Sequence, residues 1–259
     1  EPAWTLWNFG LSNPIDQVTL QASQPHLDFL EHHWLDGKGI GFASGYVSKD
    51  SDGTSVVYDV LSRFDRTTDL EALLSYEEER YFRCFALEAN PSVSANVHVL
   101  GALRQAGFGV QYSSVQKIFN FLADKQTEHG YWVDKWQATP YYTTAHLIIA
   151  SAGYNNSFVK KAVEWIISTQ NEDGSWGFFG PTAEETAYSL QALAMWKRHG
   201  QVVPQNTLRQ GRQWLVQHME PPYPPLWIGK CLYSPILVIK SAILSALRLV
   251  EQNDFEFRV

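Results

Sequence analysis

Apolar positions recur along most of this chain at the three- and four-residue spacing that is typical of α-helices. The alternation of apolar and polar residues that marks strands is nearly absent. Between turns rich in glycine and proline, the pattern predicts helices over residues 26–35, 54–64, 94–105, 114–125, 140–151, 157–170, 183–197, 206–218 and 233–250. We therefore predict an all-α fold.

The predicted helices are of two alternating kinds. The segment 144–150 is apolar on most faces, whereas the helix 157–170 is amphipathic and carries its charged residues on one face. Helix-starting positions recur about every 40–50 residues, the range of helical-pair repeats. These positions are Thr54, Asn96, Thr144, Thr186 and Pro235. Apolar helices inside and amphipathic helices outside describe concentric pairs, so the architecture predicted is an α/α barrel.

The two ends of the chain differ in regularity. Residues 1–25 contain three prolines and no clean periodicity. We predict that they form an N-terminal arm packed on the barrel, and that residues 26–259 form a single α/α-barrel domain.

Two segments fit a capping box, in which Ser or Thr precedes a helix and Glu follows three residues later. They pair Ser75 with Glu78 and Thr182 with Glu185. Both glutamates are therefore predicted to be structural rather than catalytic.

The composition limits the partners and the location of the protein. Aromatic residues make up 14% of the chain and include 10 Trp, so their rings must fill a large core or line an apolar cavity. The formal charge of −7 and the lack of a Lys/Arg block argue against nucleic acid. No apolar run reaches the roughly 18 residues of a transmembrane helix, which leaves only peripheral membrane contact open. Two distant cysteines and the absence of a leader pattern at the first residues predict a cytoplasmic protein.

Candidate chemistry lies in the stretch Asp50-Ser51-Asp52-Gly53-Thr54, directly before an apolar helix. If Asp52 or Thr54 caps this helix, both carboxyls lie where free N–H groups and the helix dipole act on them. A solvated N-cap loop is the plain alternative.

Two kinds of motif connect the chain to a known family. The segment 170–177, Gln-Asn-Glu-Asp-Gly-Ser-Trp-Gly, resembles the Q-x-x-D-G-x-W repeat of the terpenoid cyclase and protein prenyltransferase superfamily. Physically, Gly174 would turn the chain and Trp176 would pack under the next helix. The stretch 50–54 resembles the D-x-D-D-T segment of class II, protonation-initiated, diterpene cyclases. Segments 91–100, 182–193 and 226–233 resemble further blocks in the family order, so the resemblance covers about residues 36–250.

The resemblance implies roles for three residues. Asp52 matches the general acid, Asp50 its companion carboxyl, and Asn96 the side chain that hydrogen-bonds the acid. Gly53 departs from the motif, which has a third aspartate there. Protonating an alkene requires a neutral acid, and burial together with the Asp50 charge would keep Asp52 protonated. The helix N-terminus and an amide would stabilise the carboxylate that forms.

The resemblance also implies an apolar pocket that excludes water and presents π faces to a carbocation. Aromatic residues fall just before the predicted inner helices at Phe42, Tyr46, Trp136, Tyr141, Trp227 and Tyr233. Lys230 or Arg104 could bind a carboxylate group of the substrate, although a surface cation is the simpler interpretation of either residue. His98 and His146 are predicted to be core histidines, and the terminating base stays unidentified.

Missing motifs narrow the substrate. The sequence has no D-D-x-x-D and no D-x-C, so we predict no metal site and no cofactor, with Mg²⁺ required only if the substrate is a diphosphate. From the length we predict no second helical domain. A single barrel with the D-x-D acid resembles the monodomain class II cyclases of cyanobacterial meroterpenoid pathways, the merosterolic acid synthase type. That implies cyclisation of a geranylgeranyl chain on an aromatic acid to a polycyclic meroterpenoid. The alternatives are a class II cyclase of geranylgeranyl diphosphate and an inactive prenyl-binding barrel.

Overall fold

The computed structural model describes residues 1–12, 14–41, 48–154 and 157–255. Over these residues the regular secondary structure is helical apart from one small hairpin, in which strands β1 (Trp227–Ile228) and β2 (Leu232–Tyr233) pair antiparallel. The helices are α1 (Pro2–Gly10), α2 (Gln17–His33), α3 (Ser51–Arg63), α4 (Leu70–Leu74), α5 (Val93–Gln105), α6 (Ser113–Lys125), α7 (Tyr141–Ala150), α8 (Ser157–Ser168), α9 (Ala183–Arg198), α10 (Gln205–Gln217) and α11 (Ile236–Phe255). The all-α prediction is confirmed. Each helix predicted from residue 54 onward begins within about three residues of an observed one, the boundary error expected of a periodicity pattern.

The N-terminal residues correct the prediction of an irregular arm. They form α1 and the first half of α2, and Pro25 lies inside α2. Pro2 occupies the first position of α1, where a missing N–H costs nothing. Asp16 caps α2 by accepting a hydrogen bond from the Thr19 N–H at 2.8 Å. The buried Trp7 indole donates to Asp59 of α3 at 2.9 Å, so α1 is part of the packed core.

The chain divides into two compact units, residues 2–125 and residues 126–259 together with Glu1. In the first unit, α3 and α5 are buried along most of their length and pack on each other, while α6 buries one face only. In the second unit, α7 and α9 are buried in the same way, and α8 and α10 are amphipathic. We term α3, α5, α7 and α9 the core helices. The sequence-based division into arm and single domain stays a prediction.

The core helices share a clamp that explains the repeat spacing. The fourth residue of each core helix accepts a hydrogen bond from a backbone N–H of the segment that leads into that helix. The acceptors are the side chains of Thr54, Asn96, Thr144 and Thr186, and the donors are Ile40, Phe82, Trp132 and Trp176, at 3.1, 2.8, 3.0 and 3.0 Å respectively. Each core helix therefore fixes the chain that precedes it.

The turn at 170–177 is a structural clamp, as its residues predict. The Gln170 amide donates to the carbonyls of Gly174 and Thr207, both at 2.9 Å, and ties the turn to α10. Gly174 has φ of 93°, and a Cβ there would come within 2.7 Å of the Gln210 backbone. The Trp176 ring is fully buried, and its indole donates to the Ile166 carbonyl at 2.7 Å.

One of the two predicted capping boxes forms. The Thr182 hydroxyl accepts from the Glu185 N–H at 3.1 Å and donates to the Glu185 carboxylate at 2.7 Å, so Glu185 is structural. The pairing of Ser75 with Glu78 is wrong, because Ser75 ends α4 rather than preceding a helix. Glu78 instead forms an ion pair with Arg83.

None of the helices among the described residues is long and apolar enough to cross a membrane. Cys84 and Cys231 are both free thiols. The cytoplasmic location and the peripheral membrane contact stay predictions.

Candidate active site

Asp50, rather than Asp52 or Thr54, caps α3. Its backbone is extended, and its Oδ1 accepts a hydrogen bond from the Gly53 N–H at 2.6 Å. Asp52 is the second residue of the helix, and Thr54 is occupied by the clamp to Ile40. A Cβ at position 53 would lie 3.1 Å from the Asp50 carboxylate, so glycine allows this close capping contact.

The partner of Asp52 is His98. Asp52 Oδ1 lies 2.6 Å from His98 Nδ1, and the two side chains are 23% and 4% exposed. His98 is the sixth residue of α5, and the Trp4 ring lies edge-on to it at 6.1 Å. His98 is buried, as expected of a core histidine, but the sequence did not predict its contact with Asp52.

Asn96 does not hydrogen-bond the acid, so this part of its predicted role is wrong. Its Oδ1 accepts from the Phe82 N–H, and its amide donates to the carbonyls of Phe82 and Ser92 at 2.9 and 2.8 Å. These contacts belong to the clamp, in which Asn96 takes the place that Thr54 takes in α3. The amide is therefore committed to the backbone, and it positions α5.

The Asp50 carboxyl is affected by burial and by the charge of Asp52. Burial, and next the nearby charge of Asp52, raise the pKa of Asp50 to about 7, against the opposing effect of the Gly53 N–H. Asp50 is thus neutral for part of the time near neutral pH. A neutral Asp50 does not repel a negative charge that develops on Asp52.

Replacing Asp50 with Asn is expected to remove a loss of stability with rising pH. The pKa of Asp50 is raised from 3.8 in the folded state, so the folded chain binds this proton more tightly than the unfolded chain. Its contribution to the free energy of unfolding is therefore complete at low pH and is lost as the pH rises toward and past 7. Asn retains the cap.

Urea unfolding at about pH 5 and about pH 8 measures this effect, with an expected gain for Asp50→Asn of about 2 kcal/mol at the higher pH relative to the lower. An equal pH dependence in both proteins would contradict the raised pKa.

Most of the described pocket residues lie at the hairpin, because the Trp136 carbonyl accepts a hydrogen bond from the Ile228 N–H of β1 at 2.9 Å. Trp227 and Tyr233 face each other across the hairpin with ring centroids 6.2 Å apart. Tyr141 is buried but packs on Trp165 of the amphipathic α8, at 4.7 Å. Trp136 is 37% exposed, and Lys230 is exposed in the hairpin turn. Phe42 and Tyr46 lie outside the described residues.

A second aromatic cluster surrounds Glu184, which the sequence analysis did not single out. The Glu184 Oε1 accepts from the Trp227 indole at 2.6 Å and from the Tyr188 hydroxyl at 3.1 Å. Tyr142 stacks on His146 at 4.0 Å and meets Tyr188 and Trp227 edge-on at 5.4 and 5.1 Å. Helix periodicity could have found it, because these positions lie four residues apart on α7 and α9.

Among the described side chains, no group of three or more His, Cys, Asp or Glu could hold a metal ion. The prediction that no cofactor is needed stays a prediction.

The fold and this site together define a class: helical-repeat proteins with an aspartate pair at the start of a buried helix and Gln–Gly–Trp turns between helices. Residues 82–222 match the family model described as the squalene-hopene cyclase C-terminal domain. The chain belongs to this family, and with it to the class II terpene cyclases.

Curated relatives agree with this membership. A type B diterpene cyclase of Mycobacterium tuberculosis (strain ATCC 25618 / H37Rv) is 46% identical over 98% of this chain and 52% of that protein. An ent-copalyl diphosphate synthase of Streptomyces sp. (strain KO-3988) is 34% identical over 84% of this chain and 44% of that protein. The chain therefore spans about half the length of these curated relatives.

Solved structures confirm the predicted α/α-barrel fold class. The ent-copalyl diphosphate synthase from Streptomyces platensis matches with a TM-score of 0.85 and 35% identity, over 96% of this chain and 50% of that chain. The type II terpene cyclase MstE from Scytonema matches with a TM-score of 0.70 and 15% identity, over 96% of this chain and 87% of that chain, a likeness of fold. The cyanobacterial and meroterpenoid features stay predictions.

Proposed function

We propose that this chain carries the acid of a class II diterpene cyclase, in which Asp52 protonates the distal alkene of a geranylgeranyl chain and starts ring closure. The observation that carries the proposal is the contact between Asp52 and His98 at 2.6 Å, with Asp50 capping the same helix. The identity to relatives named diterpene cyclase and copalyl diphosphate synthase supports it.

The geometry suits delivery of a proton to a weak base. With its proton on Nδ1, His98 donates a hydrogen bond to Asp52 Oδ1 and leaves the acidic proton on the other oxygen. As that proton is transferred, the same hydrogen bond and the N-terminus of α3 stabilise the new carboxylate. A neutral Asp50 adds no repulsion at this step.

The proposal also concerns the head group to which the geranylgeranyl chain of the substrate is attached. Relatives at 34–46% identity are named for diterpene cyclisation, and one is named for a copalyl diphosphate, which favours geranylgeranyl diphosphate. The aromatic acid head group, and with it a polycyclic meroterpenoid product, is the second candidate. Its support is weaker, because the MstE likeness is one of fold and Lys230, its predicted carboxylate partner, is exposed.

The described residues contain no group of three or more His, Cys, Asp or Glu that could hold a Mg²⁺ ion without help from the substrate. The alternative of an inactive prenyl-binding barrel would be favoured by Gly53, because that residue departs from the acid motif. This alternative is less well supported, because the Gly53 N–H donates to the capping Asp50 and Asp52 contacts His98.

Incubation of the full-length protein in D₂O with geranylgeranyl diphosphate, or in parallel with geranylgeranyl dihydroxybenzoate, tests the proposal. We expect a cyclic product from the diphosphate that retains the diphosphate and gains one deuterium at the CH carbon of the distal alkene, because protonation there leaves the cation on the tertiary carbon; mass spectrometry detects both. Conversion of the arene alone would move the proposal to the second candidate. Release of inorganic diphosphate with product formation, or tight binding of both substrates without product, would contradict it.

A further inference from the structure

The second and sixth residues of the core helices form a repeated face. The second residues are Asp52, Ser94, Tyr142 and Glu184, and the sixth residues are Val56, His98, His146 and Tyr188. Asp52 contacts His98 of another core helix, whereas Tyr142 contacts His146 and Glu184 contacts Tyr188 within their own helices. Glu184 thus holds, within α9, the position that Asp52 holds within α3.

Glu184 is buried in a way that capping does not explain. The residue is 1% exposed, and both donors that reach it, Trp227 and Tyr188, bind Oε1. Oε2 is equally buried and has no hydrogen-bond partner among the described residues. Buried carboxylate oxygens are normally hydrogen-bonded, so an oxygen left without a donor points to a group that binds only during function.

The neighbouring Glu185 shows the structural alternative. Its two oxygens are both engaged, one by the Thr182 hydroxyl at 2.7 Å and the other by the Phe178 N–H at 3.2 Å. Glu185 closes a capping box, whereas Glu184 lies among aromatic rings. The two adjacent carboxyls therefore have different tasks.

The rings near Glu184 form a series of contacts that begins at the surface. Tyr233 is exposed, Trp227 is half-buried, and Tyr142 is buried, with ring centroids 6.2 and 5.1 Å apart along the series. Ring faces of this kind stabilise a desolvated cation. Burial also raises the pKa of Glu184 to about 7, so its carboxylate is a better proton acceptor than an exposed one.

We infer that Glu184 is the base that ends the cyclisation, taking the proton from the final carbocation on Oε2. The inference rests on the proposed function. A C–H bond next to the cationic carbon breaks, its electron pair becomes the π bond of the new alkene, and the proton forms an O–H bond on Glu184. Since Asp52 supplies one proton and Glu184 receives one, the reaction is an isomerisation, and solvent resets both groups.

Product analysis of Glu184→Gln in the full-length protein tests the inference, with geranylgeranyl diphosphate as substrate. We expect substrate consumption within about fivefold of the parent, because protonation precedes the missing step. The share of the parent alkene should fall at least tenfold in favour of alkene isomers and water-captured alcohols. Glu185→Gln is the matched control and should keep the parent product.

Tyr188→Phe provides a second variant that leaves the carboxyl in place and removes one donor to it. It should shift the products in the same direction to a smaller extent, which keeps the test valid if Glu184→Gln does not fold. An unchanged product ratio in the folded Glu184→Gln protein, or complete loss of consumption in it, would overturn the inference alone. A parent protein that forms no cyclic product would overturn the proposed function and this inference together.

Discussion

Asp52→Asn is expected to lower turnover of a polyprenyl substrate by about 10³-fold or more, because Asn keeps the shape of the side chain but has no acidic proton to transfer. Asp50, and not Asp52, caps α3, so the helix should form in the variant as it does in the parent. Product formation at saturating substrate measures the effect, and circular dichroism checks the helical content.

Asp36→Asn is the matched control for this result, because Asp36 is exposed. It should leave turnover unchanged. If Asp52→Asn turned over within tenfold of the parent, the acid would have to be another residue.

His98→Phe is expected to lower kcat by roughly 10²-fold with little change in KM. The ring volume is retained, while the Nδ1–H that stabilises the Asp52 carboxylate is lost, and that interaction is strongest as the proton leaves. Steady-state kinetics on the full-length protein separates the two constants.

The control for His98 is Asn96→Thr. Threonine fills the clamp position in the three other core helices, so this variant should fold and keep most of its activity. The opposite outcome, an inactive Asn96→Thr and an active His98→Phe, would return the role of acid partner to Asn96.

Much of the fold follows from local pattern. The periodicity located the helices from α3 onward except the short α4, because a buried helix must present apolar residues at helical spacing whatever packs against it. The capping box at Thr182 and the buried turn around Trp176 could also be predicted from the sequence, because their contacts join residues that are close along the chain. The prediction failed where a helix-breaking residue lies inside a helix, as Pro25 does in α2.

The candidate site was likewise predicted only in part from the sequence. The sequence by itself determined that two carboxyls lie at the start of a buried helix and that a polar residue recurs near the start of each core helix. Only the tertiary structure decided that His98, and not Asn96, meets Asp52. Two residues along a helix are about 200° apart, so the packing of α5 on α3 selects one and turns the other toward the backbone of Phe82. Glu184 required the same information, because burial and partner choice depend on which helices touch.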